Sequence, residues 1–306
     1  MLPAALITIF LVEIGYTVAF GYLMWGNGMM QRLDELTICI LIYLVCVRLG
    51  LVLATFVAAH LLNSFQPPLS FGNRFRMMLR ESIATIFAFT LLIPLSFVFA
   101  PRLKAVQRST VVLMVHGFMS NSGIWWWVAR ALRRKGVSGI DSVNLTPVFG
   151  HIDDYVRQLD QHIAKLKTQG VTEILLVGHS MGGLVCRSWL QAHFESAQGS
   201  DRLRCQLLTL CTPWQGTRLA RYLPWRNLAE LAHHSPWVLG HSEGPGIPAL
   251  SLYSAHDNIV IPYTAGLDQS INSSELRALG HLSVLFEDRV VSEIALRCSS
   301  RSFPQS

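Results

Sequence analysis

The sequence predicts an α/β fold, a parallel sheet covered by helices, preceded by an all-α transmembrane region. Two observations lead to this prediction. From residue 110 onward, short apolar runs alternate with amphipathic stretches, a pattern typical of strands and helices in a parallel sheet covered on both faces. Residues 1–101, in contrast, are apolar almost throughout. We therefore divide the chain into a transmembrane region, 1–101, and a globular domain, 102–306.

The distribution of charge supports this division. Residues 1–101 hold five Lys or Arg and four Asp or Glu, which leaves 20 basic and 15 acidic residues for the globular domain. Charged residues make up 14% of the whole chain, well below the roughly 25% of a soluble domain. No basic run carries the interleaved aromatic residues that nucleic acid would require, so we expect no nucleic-acid partner.

Three apolar stretches predict transmembrane helices over residues 2–25, 36–62 and 83–101. Each is near or above the roughly 20 residues that a helix needs to cross about 30 Å of hydrocarbon. The first has neither a basic segment before it nor a small-residue cleavage site after it, as a signal peptide would. We therefore expect an integral protein of the bacterial inner membrane. Arginines flank the third stretch on both sides, so its orientation stays open, and segment 63–82 is either a loop or an interfacial stretch.

The globular domain contains five apolar runs that predict strands and three stretches that predict helices. The strands are expected over 110–118, 139–147, 173–180, 203–213 and 249–260, and the helices over 124–135, 153–169 and 181–194. In such folds the reactive groups gather at the carboxyl ends of the strands.

Ser180 lies at the carboxyl end of a predicted strand, in the sequence Gly-His-Ser-Met-Gly-Gly. A strand–serine–helix turn tight enough to expose the hydroxyl leaves no room for side chains two residues away, which explains Gly178 and Gly182. We predict that Ser180 is a nucleophile. An oxyanion formed beside it would receive the backbone N–H groups of Met181 and of Phe118 in the loop after the first strand.

A nucleophilic serine needs a base and an acid that orients the base, in the chain order serine, acid, histidine. His281 lies beyond the last predicted strand and is the expected base. Asp257 directly follows a strand and is the expected acid, with Asp268 and Glu275 as alternatives. His116 is expected to shape its loop without transferring a proton.

A metal or cofactor is not expected, because the histidines lack the HExxH spacing and the cysteines form no CxxC pair. A serine nucleophile needs neither group. A bridge between Cys205 and Cys211 stays open at this point, although it would strain a predicted strand.

Segment 214–247 mixes tryptophans and leucines with arginines and predicts a helical cap over the active site. It would form either an acyl-chain pocket or a surface resting on lipid, unless it only stabilises the fold. Three consecutive tryptophans, Trp125, Trp126 and Trp127, cannot all face one core from a helix. At least one should face the pocket mouth, the cap or the membrane interface.

Residues 110–298 resemble the α/β-hydrolase superfamily, and within it the lipase and esterase branch. The resemblance depends on the motifs VHGF, GHSMGG, CTPWQGT, SAHDNIV and GHLSV, which stand in the family's order. It implies a compact α/β-hydrolase sheet with a helical cap, lacking the first two strands of larger members, and a Ser180–Asp257–His281 triad. Trp214 departs from the pattern, since many relatives have His at that place.

The sequence therefore predicts a membrane-anchored serine hydrolase whose substrates are lipid-like or other apolar acyl esters and whose second partner is the bilayer. Two alternatives stay open: an acyltransferase that uses the same triad, and a non-catalytic scaffold on a membrane subunit.

Overall fold

The structure, a computed structural model, describes residues 33–62, 68–103, 109–194, 203–222, 225–242 and 246–298, together with residues 15, 19, 22, 23 and 244. The first predicted transmembrane helix, 2–25, lies outside the described residues except for four of its positions.

Helix α1 (Leu33–Leu62) coincides with the second predicted span. Its segment Thr37–Leu62 has 26 residues and a mean hydropathy of 2.5, and only 6% of its most apolar window is buried. In the described part of the chain it is the one helix long and apolar enough to cross a membrane. The described part of the chain therefore leaves most of this apolar helix uncovered.

The prediction of a single helix over 83–101 is wrong. Helix α2 (Phe71–Phe87) starts well before this range and continues as a π-helical turn, Ala88–Leu92. The chain then turns at Ile93–Leu95 before the short helix α3 (Ser96–Phe99). Pro94 explains the break, because proline lacks the backbone N–H of a helix and its ring clashes with the preceding turn.

The end of this segment packs against the globular domain. Ala88, Leu92 and Ile93 are buried, and the Asn121 side-chain amide donates a 2.9 Å hydrogen bond to the carbonyl of Ile93. A Cβ atom on Gly123 would lie 2.0 Å from the Leu92 carbonyl oxygen, so the two backbones are in close contact. The residues expected to form the third span are thus partly covered by protein.

The globular domain contains a six-stranded sheet in the order β2-β1-β3-β4-β5-β6, in which every neighbouring pair is parallel. Its strands are β1 (Thr110–Val115), β2 (Ile140–Val143), β3 (Glu173–His179), β4 (Arg204–Leu210), β5 (Ala249–Tyr253) and β6 (Asn272–Glu275). The predicted α/β architecture is confirmed, and all five predicted strands are present with shorter bounds. Strand β6 was not predicted.

Helices cover both faces of the sheet. Successive strand residues point to opposite faces, so Val112 and Met114 contribute to one core while Val111 and Leu113 contribute to the other. The helices that complete these cores are the 3₁₀ turn Ser122–Trp125 with α4 (Trp126–Arg134), then α5 (Ile152–Thr168), α6 (Met181–Phe194) and, at the end of the described chain, α9 (Asp288–Arg297).

The segment expected to be a cap begins later than predicted. Trp214 is buried and its indole N–H donates a 3.1 Å hydrogen bond to Ser251 of β5, so this residue belongs to the core. Beyond it lie the 3₁₀ turn Arg218–Tyr222 and the short helices α7 (Arg226–Leu231) and α8 (Pro236–Gly240).

The three consecutive tryptophans have different environments. Trp125 is fully buried, and Trp127 packs against Phe286 with ring centroids 6.1 Å apart. Trp126 packs edge-on against Phe87 and Phe99 of the N-terminal region, at 5.9 and 5.8 Å. The side chain that cannot face the core therefore helps to dock the N-terminal helices onto the globular domain.

Candidate active site

Ser180 occupies the tight turn between β3 and α6 and has a left-handed backbone, with φ of 56°. For a residue other than glycine this conformation costs of order 1–3 kcal/mol and persists only where neighbours enforce it. A Cβ atom on Gly178 would lie 2.5 Å from Gly183 Cα, and one on Gly182 would lie 2.2 Å from the Val115 carbonyl oxygen. The glycines are thus required by close backbone packing, as expected for a nucleophile turn.

The loop after β1 lies against this turn. A Cβ atom on Gly117 would be 2.8 Å from Ser180 Cβ. The two residues predicted to supply oxyanion donors, Phe118 and Met181, line one small pocket together with Gly117 and Leu145. The structure thus brings both predicted oxyanion residues to the same cleft, and Gly117 brings the loop to the nucleophile.

His116 is buried, and its hydrogen bonds fix its ring. Nε2 accepts from the Leu145 N–H at 3.0 Å, which assigns Nδ1 as the donor to the Gly117 carbonyl at 2.9 Å. Burial lowers the pKa of His116 to about 4, so the ring is neutral at neutral pH. These contacts support the expectation that His116 shapes the loop.

Asp257 and His281 form a buried pair. His281 Nδ1 donates to Asp257 at 2.8 Å from Oδ2 and 3.0 Å from Oδ1. The carboxylate also accepts the N–H groups of Ile259 and Val260, at 2.7 and 2.9 Å. These bonds hold the acid in one orientation and leave His281 Nε2 as the nitrogen able to accept a proton.

The pKa directions fit an ion pair. Burial alone would raise the pKa of Asp257, but the charge and hydrogen bond of His281 and the two backbone N–H groups together lower it. Burial alone would lower the pKa of His281, but the charge and hydrogen bond of Asp257, with a smaller contribution from Glu81, raise it. The site thus stabilises the imidazolium that forms when the ring takes a proton.

The two alternative acids have other partners. Asp268 accepts a 3.1 Å hydrogen bond from the buried guanidinium of Arg187, and Glu275 lies on the edge strand β6, 3.6 Å from Arg277. Neither is hydrogen-bonded to His281 in the described part of the chain. The geometry therefore favours Asp257.

His179 connects the nucleophile turn to the base. It directly precedes Ser180, its Nε2 donates a 3.0 Å hydrogen bond to the His281 carbonyl, and the two rings lie 4.8 Å apart. Burial, followed by the charge of His281, lowers the pKa of His179 to about 3, so this ring stays neutral. Among the described residues no hydrogen bond joins the Ser180 hydroxyl to His281. Such bonds are often long without substrate.

Cys211 lies under the pair, with Sγ within 4.8 Å of the ligand atoms of Asp257 and His281. These three groups are of the types that bind metal ions. However, the imidazole and carboxylate are already hydrogen-bonded to each other, and burial raises the pKa of the thiol well above its usual value. A protonated thiol is a poor metal ligand, so the arrangement suits proton transfer better. Cys205 and Cys211 are both free thiols.

Sequence reasoning missed Glu81 of α2, which contacts the base loop. Its two oxygens accept the N–H groups of Leu282 and Ser283, both at 2.8 Å, directly after His281. A signal was present, because Glu81 is the single acidic residue between positions 36 and 101. Charges are rare in apolar segments and are retained there for a function or a specific partner.

Comparison with known proteins supports the α/β fold. Residues 110–232 match the sequence model of a family described as the alpha/beta hydrolase fold. Phospholipase YtpA of Bacillus subtilis (strain 168) is 29% identical over 96 residues, which are 29% of this chain and 37% of the relative. The match therefore spans little more than a third of that relative's length.

Two solved structures show the same fold at low identity. Lipase B of Aspergillus fumigatus is 15% identical with a TM-score of 0.53, covering 64% of this chain and 54% of the lipase. The mature lipase BlEst2 of Bacillus licheniformis is 15% identical with a TM-score of 0.51, covering 65% of this chain and 95% of the lipase. The globular domain thus shares its fold with these two solved structures.

Proposed function

We propose that this protein is a membrane-anchored serine hydrolase that cleaves carboxylic esters of lipid-like substrates. The observation that carries the proposal is the buried Asp257–His281 pair, which His179 attaches to the glycine-bounded turn of Ser180. The partial match to a protein named as a phospholipase and the fold shared with two lipases support ester hydrolysis.

The mechanism follows from the residue types and their placement. Ser180 attacks the acyl carbonyl while His281 Nε2 takes the hydroxyl proton, and Asp257 stabilises the resulting imidazolium. The backbone N–H groups of Met181 and Phe118 stabilise the oxyanion, an effect worth about 3–4 kcal/mol per donor in related chemistry. His281 then protonates the leaving alkoxide, which leaves an acyl-enzyme on Ser180. Water, activated by His281, attacks this acyl-enzyme and releases the carboxylic acid.

An aromatic cluster beside the oxyanion loop supports an apolar substrate. Phe118 packs at 5.9 Å from Phe149 and 6.2 Å from Trp225, and Phe149 stacks on Trp225 at 4.8 Å. Trp225 begins the segment with α7 and α8, so this part of the chain lies next to the oxyanion loop and is suited to contact an acyl chain. The exposed apolar surface of α1 would place the site near lipid.

The first test is covalent labelling of the full-length chain with a fluorophosphonate probe. Such probes react with serines that a base activates, so wild type should be labelled and Ser180→Ala should not. Ser188→Ala is the matched control, because Ser188 is a buried serine on the adjacent helix α6 and should leave labelling unchanged. Labelling that persists without Ser180, or no labelling of folded wild type, would contradict the proposal.

A panel of lipid esters then shows which class of ester the protein hydrolyses. Purified wild type should release fatty acid from at least one apolar ester, with Ser180→Ala as the blank. Adding an alcohol acceptor tests the remaining alternative, because accumulation of a new ester in place of free acid would identify an acyltransferase.

A further inference from the structure

Glu81 is a buried carboxylate that the mechanism above does not use. Glu81 is 1% exposed. An ionised carboxylate in such a position is costly unless hydrogen bonds compensate for the lost water. Each of its oxygens accepts one backbone N–H group, and these bonds favour the carboxylate against the rise in pKa that burial causes. The carboxylate is therefore fully engaged in holding one piece of backbone.

That backbone is the loop of the proposed catalytic base. The donors, Leu282 and Ser283, directly follow His281. On the other side, a Cβ atom on Gly280 would lie 2.5 Å from the Glu81 carboxylate, so the loop fits around it without a gap. Ser283 also accepts the Gly280 N–H at 2.9 Å, which closes the loop on itself. The loop that carries the imidazole thus contacts a side chain from α2, about 200 residues away in sequence.

A second contact reaches the same loop from α1. The His281 N–H donates to Asn258 Oδ1 at 2.9 Å, and the Asn258 amide donates to the Thr55 hydroxyl at 2.8 Å. Thr55 in turn donates to the Val52 carbonyl, also at 2.8 Å. Asn258 directly follows the acid Asp257, so the acid loop and the base loop are both attached to the N-terminal helices.

We propose that Glu81 is a positioning residue for His281, so that the N-terminal helices form part of the active-site scaffold and do not serve only as an anchor. This inference extends the proposed function and depends on it for the role of His281. It concerns a residue outside the segment 110–232 that matches the hydrolase family.

The proposal has an electrostatic consequence that a purely structural contact would not have. The groups facing His281 are Asp257, the neutral ring of His179, the protonated thiol of Cys211 and Glu81. Of these, Asp257 and the ionised form of Glu81 raise the pKa of His281. Burial raises the pKa of Glu81 itself, although the hydrogen bonds from Leu282 and Ser283 and the charge of His281 oppose this rise. Removing the charge of Glu81 should therefore lower the pKa of His281, and the acidic limb of the activity profile should move to lower pH.

The experiment uses the full-length protein in detergent and measures the rate of fluorophosphonate labelling against pH. Glu81→Gln keeps the size of the side chain but turns an amide NH₂ toward a backbone N–H. We expect labelling to fall by at least about tenfold, as misplacement of a catalytic group commonly causes, with the acidic limb shifted downward. Glu81→Asp keeps the carboxylate, so the acidic limb of its pH profile should lie nearer to that of wild type.

Glu287→Gln is the matched control. Glu287 pairs with Arg80, the neighbour of Glu81 on α2, and its loss removes a contact between α2 and the globular domain without touching the His281 loop. Glu287→Gln should leave the labelling rate and the acidic limb of the pH profile unchanged. Thermal melts of all variants separate loss of folding from loss of positioning.

Histidine-ring NMR of His281, assigned with His281→Gln, gives a second readout that needs no catalysis. A lower His281 pKa in Glu81→Gln supports the proposal even if the protein labels weakly. A folded Glu81→Gln variant with the labelling rate and His281 pKa of wild type would overturn it. If wild type and Ser180→Ala are labelled alike, the proposed function fails, while the NMR result still decides the role of Glu81.

Discussion

Asp257 and Asp268 show how different environments give two carboxylates different partners. Asp257 lies between His281 and two backbone N–H donors, whereas Asp268 lies against the buried guanidinium of Arg187. Arg187 also stacks over the Trp214 ring, with its guanidinium carbon 4.7 Å from the ring centroid. One carboxylate therefore orients a proton acceptor, and the other neutralises a cation inside the core.

This difference predicts opposite outcomes for two identical substitutions. Asp257→Asn should lower kcat by about 10³–10⁴-fold, because an amide favours the wrong tautomer of His281. Asp268→Asn should lower the thermal unfolding midpoint more than Asp257→Asn does. The reason is that Asp268→Asn leaves the buried guanidinium of Arg187 without its counter-charge, at a cost of about 3–5 kcal/mol. Ester turnover and thermal melts of both variants check this.

Asp268→Asn is also the control for the identity of the acid. Below its melting temperature it should retain kcat close to that of wild type. A large loss of kcat in folded Asp268→Asn together with an active Asp257→Asn would reverse the assignment.

At the scale of elements, the contact between the segment after Trp214 and the oxyanion loop is made by aromatic rings. Trp225 stacks on Phe149 with 11° between the ring planes, and both contact Phe118. Trp237 of α8 is the same residue type in the same segment, but its indole donates a 2.8 Å hydrogen bond to Asp153 of α5. The two tryptophans therefore hold the segment in different ways.

Trp225→Ala should raise KM for long-chain esters several-fold while changing turnover of a short acetyl ester much less. The physical reason is that an aromatic contact is worth about 0.5–1.5 kcal/mol beyond its buried area, and a long acyl chain would lose this wall. KM measured over a series of acyl lengths checks the prediction. Trp237→Ala is the control and should change KM equally for esters of all acyl lengths. If both variants had the same effect on KM, the aromatic cluster would have no specific role in binding the acyl chain.

Elements with a strong local pattern were predictable from the sequence, and those determined by tertiary contacts were not. The glycines around Ser180 predict the tight turn between β3 and α6 because such a turn excludes Cβ atoms. Strand β6 reads Asn-Ser-Ser-Glu and has no apolar pattern, since an edge strand can be stabilised by pairing with β5 alone. The apolar residues 83–101 predicted a span, but their contact with the 3₁₀ turn before α4 is not visible locally.

The site divides in the same way. Ser180, Asp257 and His281 could be predicted together because a parallel sheet brings the carboxyl ends of its strands to one edge. Glu81 was missed because no such rule relates a residue before the sheet to a loop after its last strand. Only the folded chain shows that its carboxylate meets the N–H groups of Leu282 and Ser283.

At the scale of the whole molecule, the N-terminal helices have two kinds of surface. On one side, Glu81 and Thr55 contact the loops that follow His281 and Asp257. The other side exposes large apolar side chains, among them Leu49, Leu53 and Leu61 of α1 at 42%, 51% and 76%. Apolar area left in water costs roughly 25 cal/mol per Å², so this exposed stripe is expected to be covered by lipid or by a protein partner. Helix α1 thus carries both the exposed apolar stripe and Thr55, which accepts a hydrogen bond from Asn258.

We therefore expect the full-length chain to remain in the membrane fraction after an alkaline carbonate wash, which removes peripheral proteins. Leu49→Lys with Leu53→Lys should shift it toward the soluble or aggregated fraction, because each lysine at the centre of a spanning helix costs about 2.5–3.5 kcal/mol on insertion scales. Leu296→Lys is the matched control, since Leu296 is 65% exposed on the globular domain and should not change the distribution. Complete extraction of wild type by carbonate would show that α1 does not span the bilayer, and the exposed stripe would then need a protein partner.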